Sequence, residues 1–407
     1  MIICKVWDSD YPWDVRVEKL CNSLLQRGNE VHLVCRNRKQ REPYEVFNGL
    51  HIHRLPKLTA KLGGVLGFPF FLNPIWIAFI LGVVVKYKVD AIIVRDLPMA
   101  LAAVIVAKLF DLPCFLDMAE PYPEMLLGYH QLLWRGGKRN LINRVVRNPT
   151  FAQLTEKVAC RYLSHIFPVS LEMKGNLIAK GIDEDKITVF HNTPAKSNYE
   201  APMQTQRPAK DRKRGIDIVY VGDITEARGL PIVINAIDRL RGMNERFRLN
   251  IIGSGRHEEH LRRLVNEKNL DQNVLFSGWI PRDRLSDHLL EMDIGIIPHL
   301  KTKHNELTLP NKVFDYMELG LPIVSACLAP IKRILAESQA GLVFEPYTVE
   351  ALCESLLELK DEELRLRMGK SGRQAVERVY NWEWDFQRFL EVFNRSMAEN
   401  IKRERIH

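Results

Sequence analysis

N-E-L-T-L-P-N-K-V-F-D-Y-M-E-L-G-L-P-I-V, from Asn305 to Val324, is the stretch on which the fold turns. Pro310 precedes apolar Val313, Phe314, Met317 and Leu319 at helical spacing, and Gly320 with Pro322 stops the run, so the spacing predicts a short helix. Ile323 and Val324 then suit a buried strand. A polar loop thus enters a helix whose far end feeds a sheet. Unpaired N–H groups at such a helix start suit an anion such as phosphate, and Lys312 adds a full charge where the dipole alone would favour an acid. Asp315, one turn on, is placed to accept hydroxyl hydrogens from a sugar ring such as ribose. An ordinary surface helix with one charge pair shows the same periodicity.

Working outward, apolar strand-like runs alternate with helical ones. In the second half they fall at 216–221, 249–252, 274–276, 294–297, 323–324 and 342–344; in the first, at 1–7, 31–35, 89–94, 114–116, 166–169 and 186–190. This alternation predicts an α/β chain of two tandem Rossmann-like, doubly wound domains with an interdomain cleft. The first domain is expected over 1–200 and the second over 216–380, joined by a basic, Pro-containing linker at 201–215 without apolar period. Residues 381–407 open on Trp382, Trp384, Phe386, Phe389, Leu390 and Phe393, an amphipathic helix expected to pack back on a domain.

The chain has 407 residues and 46% hydrophobic content, enough for two cores. Its seven cysteines are scattered and never spaced C-x-x-C, which argues against a disulfide frame or a cysteine zinc site and for a reducing, cytoplasmic setting. A net charge of +8 is too mild and dispersed for a dedicated nucleic-acid binder. Arg135, Lys138, Arg139, Arg144 and Arg147, mixed with Trp134, Leu141 and Ile142, match a segment lying on anionic headgroups, or a solvated basic face. Residues 62–85 carry no charge, yet glycines and prolines break their first half. They are expected to pack in the domain or dip into a membrane interface rather than span it. The start, M-I-I-C-K-V-W, reads as a strand, not a signal peptide.

Ligands of such sheets bind beyond the carboxyl ends of the strands, so each loop leaving a strand is a candidate. In Gly222 to Gly229 the glycines admit a ligand to the backbone, Asp223 follows the first, and Arg228 suits a bidentate phosphate grip. Gly253-Ser254-Gly255 resembles part of a dinucleotide fingerprint, but Glu258 stands at the third glycine, so a nicotinamide is not expected. Asp8-Ser9-Asp10 carries two acids of a metal type, but in the other domain from the phosphate candidates. His299 and His304 beside Glu306 lack a third-ligand pattern and read as lining or surface residues. In the first domain Asp117 and Glu120 follow a strand, where acids orient hydroxyls, act as a base, or simply cap a helix, and Asp14 and Arg16 follow the first loop.

Taken in this order, the chain resembles the GT-B glycosyltransferases of the retaining family-4 type, most strongly over 216–380. Y-V-G-D-I-T-E-A-R-G-L, from Tyr220, looks like that family's donor loop, and P-N-K-V-F-D-Y-M-E-L-G-L-P-I-V like its P-x-K-x-x-E-Y-M-x-x-G-x-P-V stretch. The resemblance implies donor binding by Gly222, Asp223, Arg228, Gly253, Gly255, Trp279, Ile280, Leu307, Lys312 and Asp315. Arg228 or Lys312 would hold a diphosphate, Asp315 the ribose, and Gly278-Trp279-Ile280 the base. It implies catalytic parts for Glu120, Arg228, Lys312 and Glu306, and an acceptor side of Asp14, Arg16, Asp117 and Glu120, making the first domain the acceptor-binding one. Three departures stand out, the first being Asp223 where an arginine often follows the donor-loop glycine. Leu307 occupies the position of an upstream glutamate, with Glu306 one residue off, and Ala119 replaces a histidine in the Asp117 to Glu120 pattern.

The expected activity is therefore sugar transfer from a nucleoside-diphosphate sugar to a lipid-linked or glycan acceptor with retention, in polysaccharide or glycolipid assembly. No cofactor and no metal are required by it. The expected place is the cytoplasm, peripherally at the inner face of the cell membrane. A nucleotide-sugar epimerase of the same architecture, or a non-catalytic nucleotide-sugar binder, are the alternatives.

Overall fold

Alternate residues of each central strand of the second half turn to opposite faces. Ile218, Tyr220, Ile294, Ile296 and Val324 join one buried cluster with the helix Leu230–Gly242, while Val219, Ile297 and Ile323 join another with the helices Lys312–Glu318 and Ala329–Ser338. A strand buried on both faces needs an unbroken apolar run, which is what these segments supply. The computed structural model describes residues 1–12, 14–57, 71–133, 148–195 and 215–404. The chain divides into two compact units, Met1–His191 with Phe386–His407, and Asn192–Asp385.

The first unit holds a seven-stranded sheet. Its strands are β1 (Ile2–Asp10), β2 (Glu30–Arg36), β3 (Tyr44–Phe47), β4 (Leu50–Arg54), β5 (Ala91–Arg95), β6 (Cys114–Met118) and β7 (His165–Pro168). They lie in the order β3-β4-β2-β1-β5-β6-β7, all parallel except the antiparallel β3–β4 pair. The second unit holds β8 (Ile216–Val221), β9 (Phe247–Ile252), β10 (Val274–Gly278), β11 (Ile294–Ile297), β12 (Ile323–Ala326) and β13 (Gly341–Phe344). Their order is β10-β9-β8-β11-β12-β13, parallel throughout. Both sheets are doubly wound, as the alternation predicts.

Two elements differ from the sequence reading. Of the expected strand at 186–190, Lys186 ends a 3-10 turn, Glu184–Lys186, and the rest runs beside β7 with one bridge, from Ile187 to Ile166. The β3–β4 hairpin, turning at Asn48 and Gly49 with φ of 48° and 82°, is additional. The last helix, Trp382–Glu404, lays Phe389 and Phe393 against Phe115, Phe167 and Phe190 within the first unit, with ring centres 4.7–5.3 Å apart.

Of the apolar stretch 62–85, the part from Pro74 belongs to the helix Pro74–Tyr87, capped by Asn73. Residues 62–70, the basic cluster from Arg135 to Arg147 and the linker at 201–214 lie outside the described residues. Among those described, no helix is long and apolar enough to cross a membrane.

Candidate functional site

In the second sheet the chain runs from β8 out to β10, then returns to β11 on the other side of β8. The loops that leave β8 and β11 therefore start side by side at the switch point, where a ligand crevice opens in doubly wound sheets. Tight backbone contacts hold these loops. Gly222 N–H donates to Ile252 O at 2.9 Å, Ile224 N–H to Ser254 O at 3.0 Å, and Gly253 N–H to Gly278 O at 2.7 Å. A Cβ on Gly253 would overlap the Gly222 carbonyl, and one on Gly255 the Ile224 carbonyl. Both glycines are thus explained by loop packing.

Arg228 and Lys312 come together on one imidazole. Arg228 Nη1 lies 3.4 Å from His299 Nδ1, and Lys312 Nζ lies 3.4 Å from His299 Nε2. Lys312 Nζ also stands 3.8 Å from the centre of the Tyr220 ring, and Gly222 leaves it room, since a Cβ there would come within 3.1 Å of Nζ. Among the described residues neither cation forms an ion pair with a carboxylate, and Arg228 Nε is buried without a hydrogen-bond partner. Burial and then the neighbouring Arg228 hold Lys312 well below its usual range, although Asp315 and Asp223 oppose this. Burial, Lys312 and Arg228 likewise keep His299 well below its usual value, so the imidazole between them is neutral. Two adjacent positive groups left unpaired at half-buried positions are costly, and an anion placed between them removes the cost.

His299 narrows the sequence reading, which left it a lining or a surface residue. It is 1% exposed, an interior spacer rather than a surface residue. Its signal in the sequence is positional: it lies two residues beyond β11, the strand beside β8. The helix that begins at Lys312 has seven residues, and its cap, Asn311, makes no side-chain bond to it. Side-chain charge, rather than a long dipole, is therefore what this corner offers an anion.

The remaining residues expected on the donor side are placed as follows. Asp315 pairs with Arg282 at 3.7 Å. Asp223 is exposed, and its carbonyl accepts the Tyr220 hydroxyl at 2.8 Å. Trp279 is 62% exposed beyond β10, while Ile280 and Leu307 are half-buried. Glu306 Oε1 accepts from Ala329 N–H at 3.3 Å, at the start of the helix Ala329–Ser338.

In the first unit Asp117 is the centre of a buried charge cluster. Lys5 Nζ lies 2.8 Å from one oxygen, and Arg16 Nε 2.6 Å and Arg95 Nη1 3.6 Å from the other. Burial alone would raise its pKa, but Arg16, Lys5 and Arg95 together hold it well below the carboxylate range. Arg16 also donates to Phe190 O at 2.8 Å, so both it and Asp117 are interior groups. Asp14 caps the helix Val15–Gln26 through Arg16 and Val17 N–H, each at 2.9 Å, and pairs with Arg95 at 3.3 Å. Asp96, in a left-handed conformation with φ of 59°, accepts from Ala119 and Glu120 N–H at 2.7 and 3.0 Å. It thereby fixes the backbone that carries the half-buried Glu120. Burial pushes its own carboxyl up to about 6, with Glu120 and Asp117 adding to the effect and Arg95 opposing it. The acids of Asp8-Ser9-Asp10 are engaged too, Asp8 by Arg36 and Asp10 by Arg38 N–H at 2.6 Å. Lys5, Arg95 and Asp96 escape a sequence search because each becomes meaningful only when β1, β5 and β6 lie side by side.

Residues 14–193 match the family model described as Glycosyl transferase 4-like domain, and residues 215–362 the one described as Glycosyl transferases group 1. The amylovoran biosynthesis glycosyltransferase AmsK of Erwinia amylovora is 26% identical over 234 residues, 56% of this chain and 56% of AmsK. A GDP-mannose-dependent monoacylated alpha-(1-6)-phosphatidylinositol monomannoside mannosyltransferase of Corynebacterium glutamicum is 31% identical over 160 residues, 38% of this chain and 41% of that protein. The chain thus spans about half the length of the curated relatives it matches. Among solved structures, sucrose-phosphate synthase from Thermosynechococcus elongatus superposes with a TM-score of 0.72 at 14% identity, over 98% of this chain and 99% of that one, a likeness of fold.

Proposed function

The two matched domains make the chain a member of the group 1 glycosyltransferases of GT-B fold, and from that membership we propose that it transfers a sugar from a nucleoside-diphosphate sugar to a glycan or lipid-linked acceptor, with retention at the anomeric carbon. The observation that carries the donor half is the meeting of Arg228 and Lys312 on His299. Charge grows on the departing diphosphate as the glycosidic bond breaks. Cations already fixed beside that position stabilise the transition state more than the ground state. With two such cations the diphosphate needs no metal. Asp315 takes the ribose hydroxyls, Trp279 and Ile280 flank the base, and Glu306 and Leu307 border the donor sugar. Glu120, held by Asp96, orients the acceptor hydroxyl, while Asp14, Arg16 and Asp117 fix the backbone and charge around it. In a front-face displacement the leaving phosphate oxygen takes the hydroxyl proton.

A lipid-linked acceptor at the cytoplasmic membrane face fits an apolar surface of the first unit. Phe151, Leu154, Val158 and Tyr162 form an exposed stripe along the helix Pro149–Tyr162, beside exposed Ile105, Leu109 and Phe110 of the neighbouring helix Ala100–Leu109 and its end. Exposed apolar area of this kind marks a lipid or protein contact. The basic residues Arg135 to Arg147 precede it in sequence.

The test is thermal unfolding against a panel of nucleotide sugars, followed by turnover of the best ligand with membrane extract. A ligand that raises the Tm and whose sugar appears on a lipid or glycan supports the reading. A stabilising ligand converted with no acceptor present indicates an epimerase, and one that is never consumed indicates a binding protein.

A further inference from the structure

Glu30 and His32 are alternate residues of β2, His51 and His53 are alternate residues of β4, and the parallel register sets His32 opposite His51. Side chains two apart share a face, so these four gather on one side of the sheet. Tyr87 lies over them, its ring centre 4.2 Å from that of His32 and 5.1 Å from that of His53.

We propose that Glu30, His32 and His51 bind one divalent metal ion of the zinc class. One donor atom from each lies within 4.8 Å of the other two. Glu30 Oε1 is 2.8 Å from His32 Nε2 and 4.0 Å from His51 Nε2. A tetrahedral ion with bonds of about 2.0–2.1 Å spaces its donors by roughly 3.4 Å, between these two distances. The second nitrogen of each imidazole is already oriented. His32 Nδ1 is bonded to His53 Nε2 at 2.9 Å, and His51 Nδ1 to the Tyr44 hydroxyl at 2.9 Å. In the ligating tautomer each Nδ1–H donates outward to that partner and each Nε2 lone pair faces Glu30, the outer-shell arrangement metal-bound histidines need. Two imidazoles and one carboxylate form a donor set that favours zinc and its neighbours over magnesium or calcium. Glu30 is partly exposed, which leaves a fourth position for water.

Glu30 opens β2 and His51 is the second residue of β4, so the site sits at the amino ends of the strands. Asp117 and Glu120 lie at or beyond the carboxyl end of β6, the opposite edge of the same sheet. The ion therefore acts as a clasp between β2 and β4, not as part of sugar transfer.

The experiment is calorimetric titration of Zn²⁺ into chelator-treated full-length protein, with the Tm followed in parallel. One ion per chain and a raised Tm are expected. His51→Ala and Glu30→Gln, both at partly exposed positions, should each weaken binding by at least about tenfold, and Tyr44→Phe by about 10–100-fold through the lost outer bond. His257→Ala with His260→Ala, a separate histidine pair with ring centres 4.6 Å apart, should bind as the unchanged protein does. If His51→Ala lowers the metal-free Tm, the Tyr44→Phe affinity decides. Absence of stoichiometric binding, or binding that survives His51→Ala and Glu30→Gln, overturns the proposal.

Discussion

The ammonium of Lys312 lies over the face of Tyr220, 3.8 Å from the ring centre. A ring face attracts a cation without neutralising it, so Lys312 is fixed in place with its charge still open to a phosphate. Tyr220→Phe keeps the face and should leave nucleoside-diphosphate affinity within about twofold. Tyr220→Leu loses roughly 1–2 kcal/mol of this attraction and should weaken affinity about tenfold. Dissociation constants of the two variants by calorimetry check the difference.

Ligand binding should take up protons. His299 sits well below its ordinary value in the free protein, first through burial and then through Lys312 and Arg228. A bound diphosphate offsets that positive charge and raises it. Between the lowered and restored values the complex holds more protons than the free protein. Calorimetry near neutral pH in two buffers of different ionisation enthalpy should give a positive uptake, and identical heats in both would contradict it.

Gly253 adopts φ of 141° and presses on the Gly222 carbonyl. Gly253→Ala adds both a steric overlap and backbone strain, and should cost about 3 kcal/mol. Urea unfolding of the variant measures this. Gly28, whose added Cβ would meet nothing within 4 Å, is the control for the strain of positive φ alone.

Asp117→Asn leaves Lys5, Arg16 and Arg95 without the charge they surround. Removing one member of a buried charge cluster should destabilise the first unit by about 3–5 kcal/mol. Because its folded pKa is depressed, the stabilisation from Asp117 is complete above its unfolded value of about 3.9 and fades as pH falls below it. The gap between the two proteins in urea unfolding should thus be constant from neutral pH to about pH 5 and narrow in stronger acid.

The doubly wound sheets were legible because β8, β11 and β12 are apolar on both faces and bounded by Gly or Pro, as in Gly320 to Pro322. The β3–β4 hairpin was not, since Tyr44 to Phe47 are all exposed and show no alternation in burial. Its mark was the Asn48-Gly49 pair, a turn dipeptide suited to positive φ at both residues. The segment 186–190 has strand-like residues and donates Thr188 and Phe190 N–H to Ile166 and Pro168 O, yet forms one bridge rather than a strand, a matter of neighbours rather than propensity. Arg228 and Lys312 could be named from their loops. His299 could be named only as a lining or surface residue, because its contact with both depends on β11 lying next to β8.

The central claim is that Lys312 is kept as an uncompensated, stability-costing charge for a diphosphate, and Lys312→Met tests it most directly. The substitution keeps the apolar length of the side chain and removes the charge that burial and Arg228 oppose. The ligand-free Tm should stay level or rise, while affinity for the nucleoside diphosphate falls by about tenfold or more, the value of a charge-assisted bond. A Lys312→Met protein that binds the nucleotide as tightly as the unchanged chain would contradict the account.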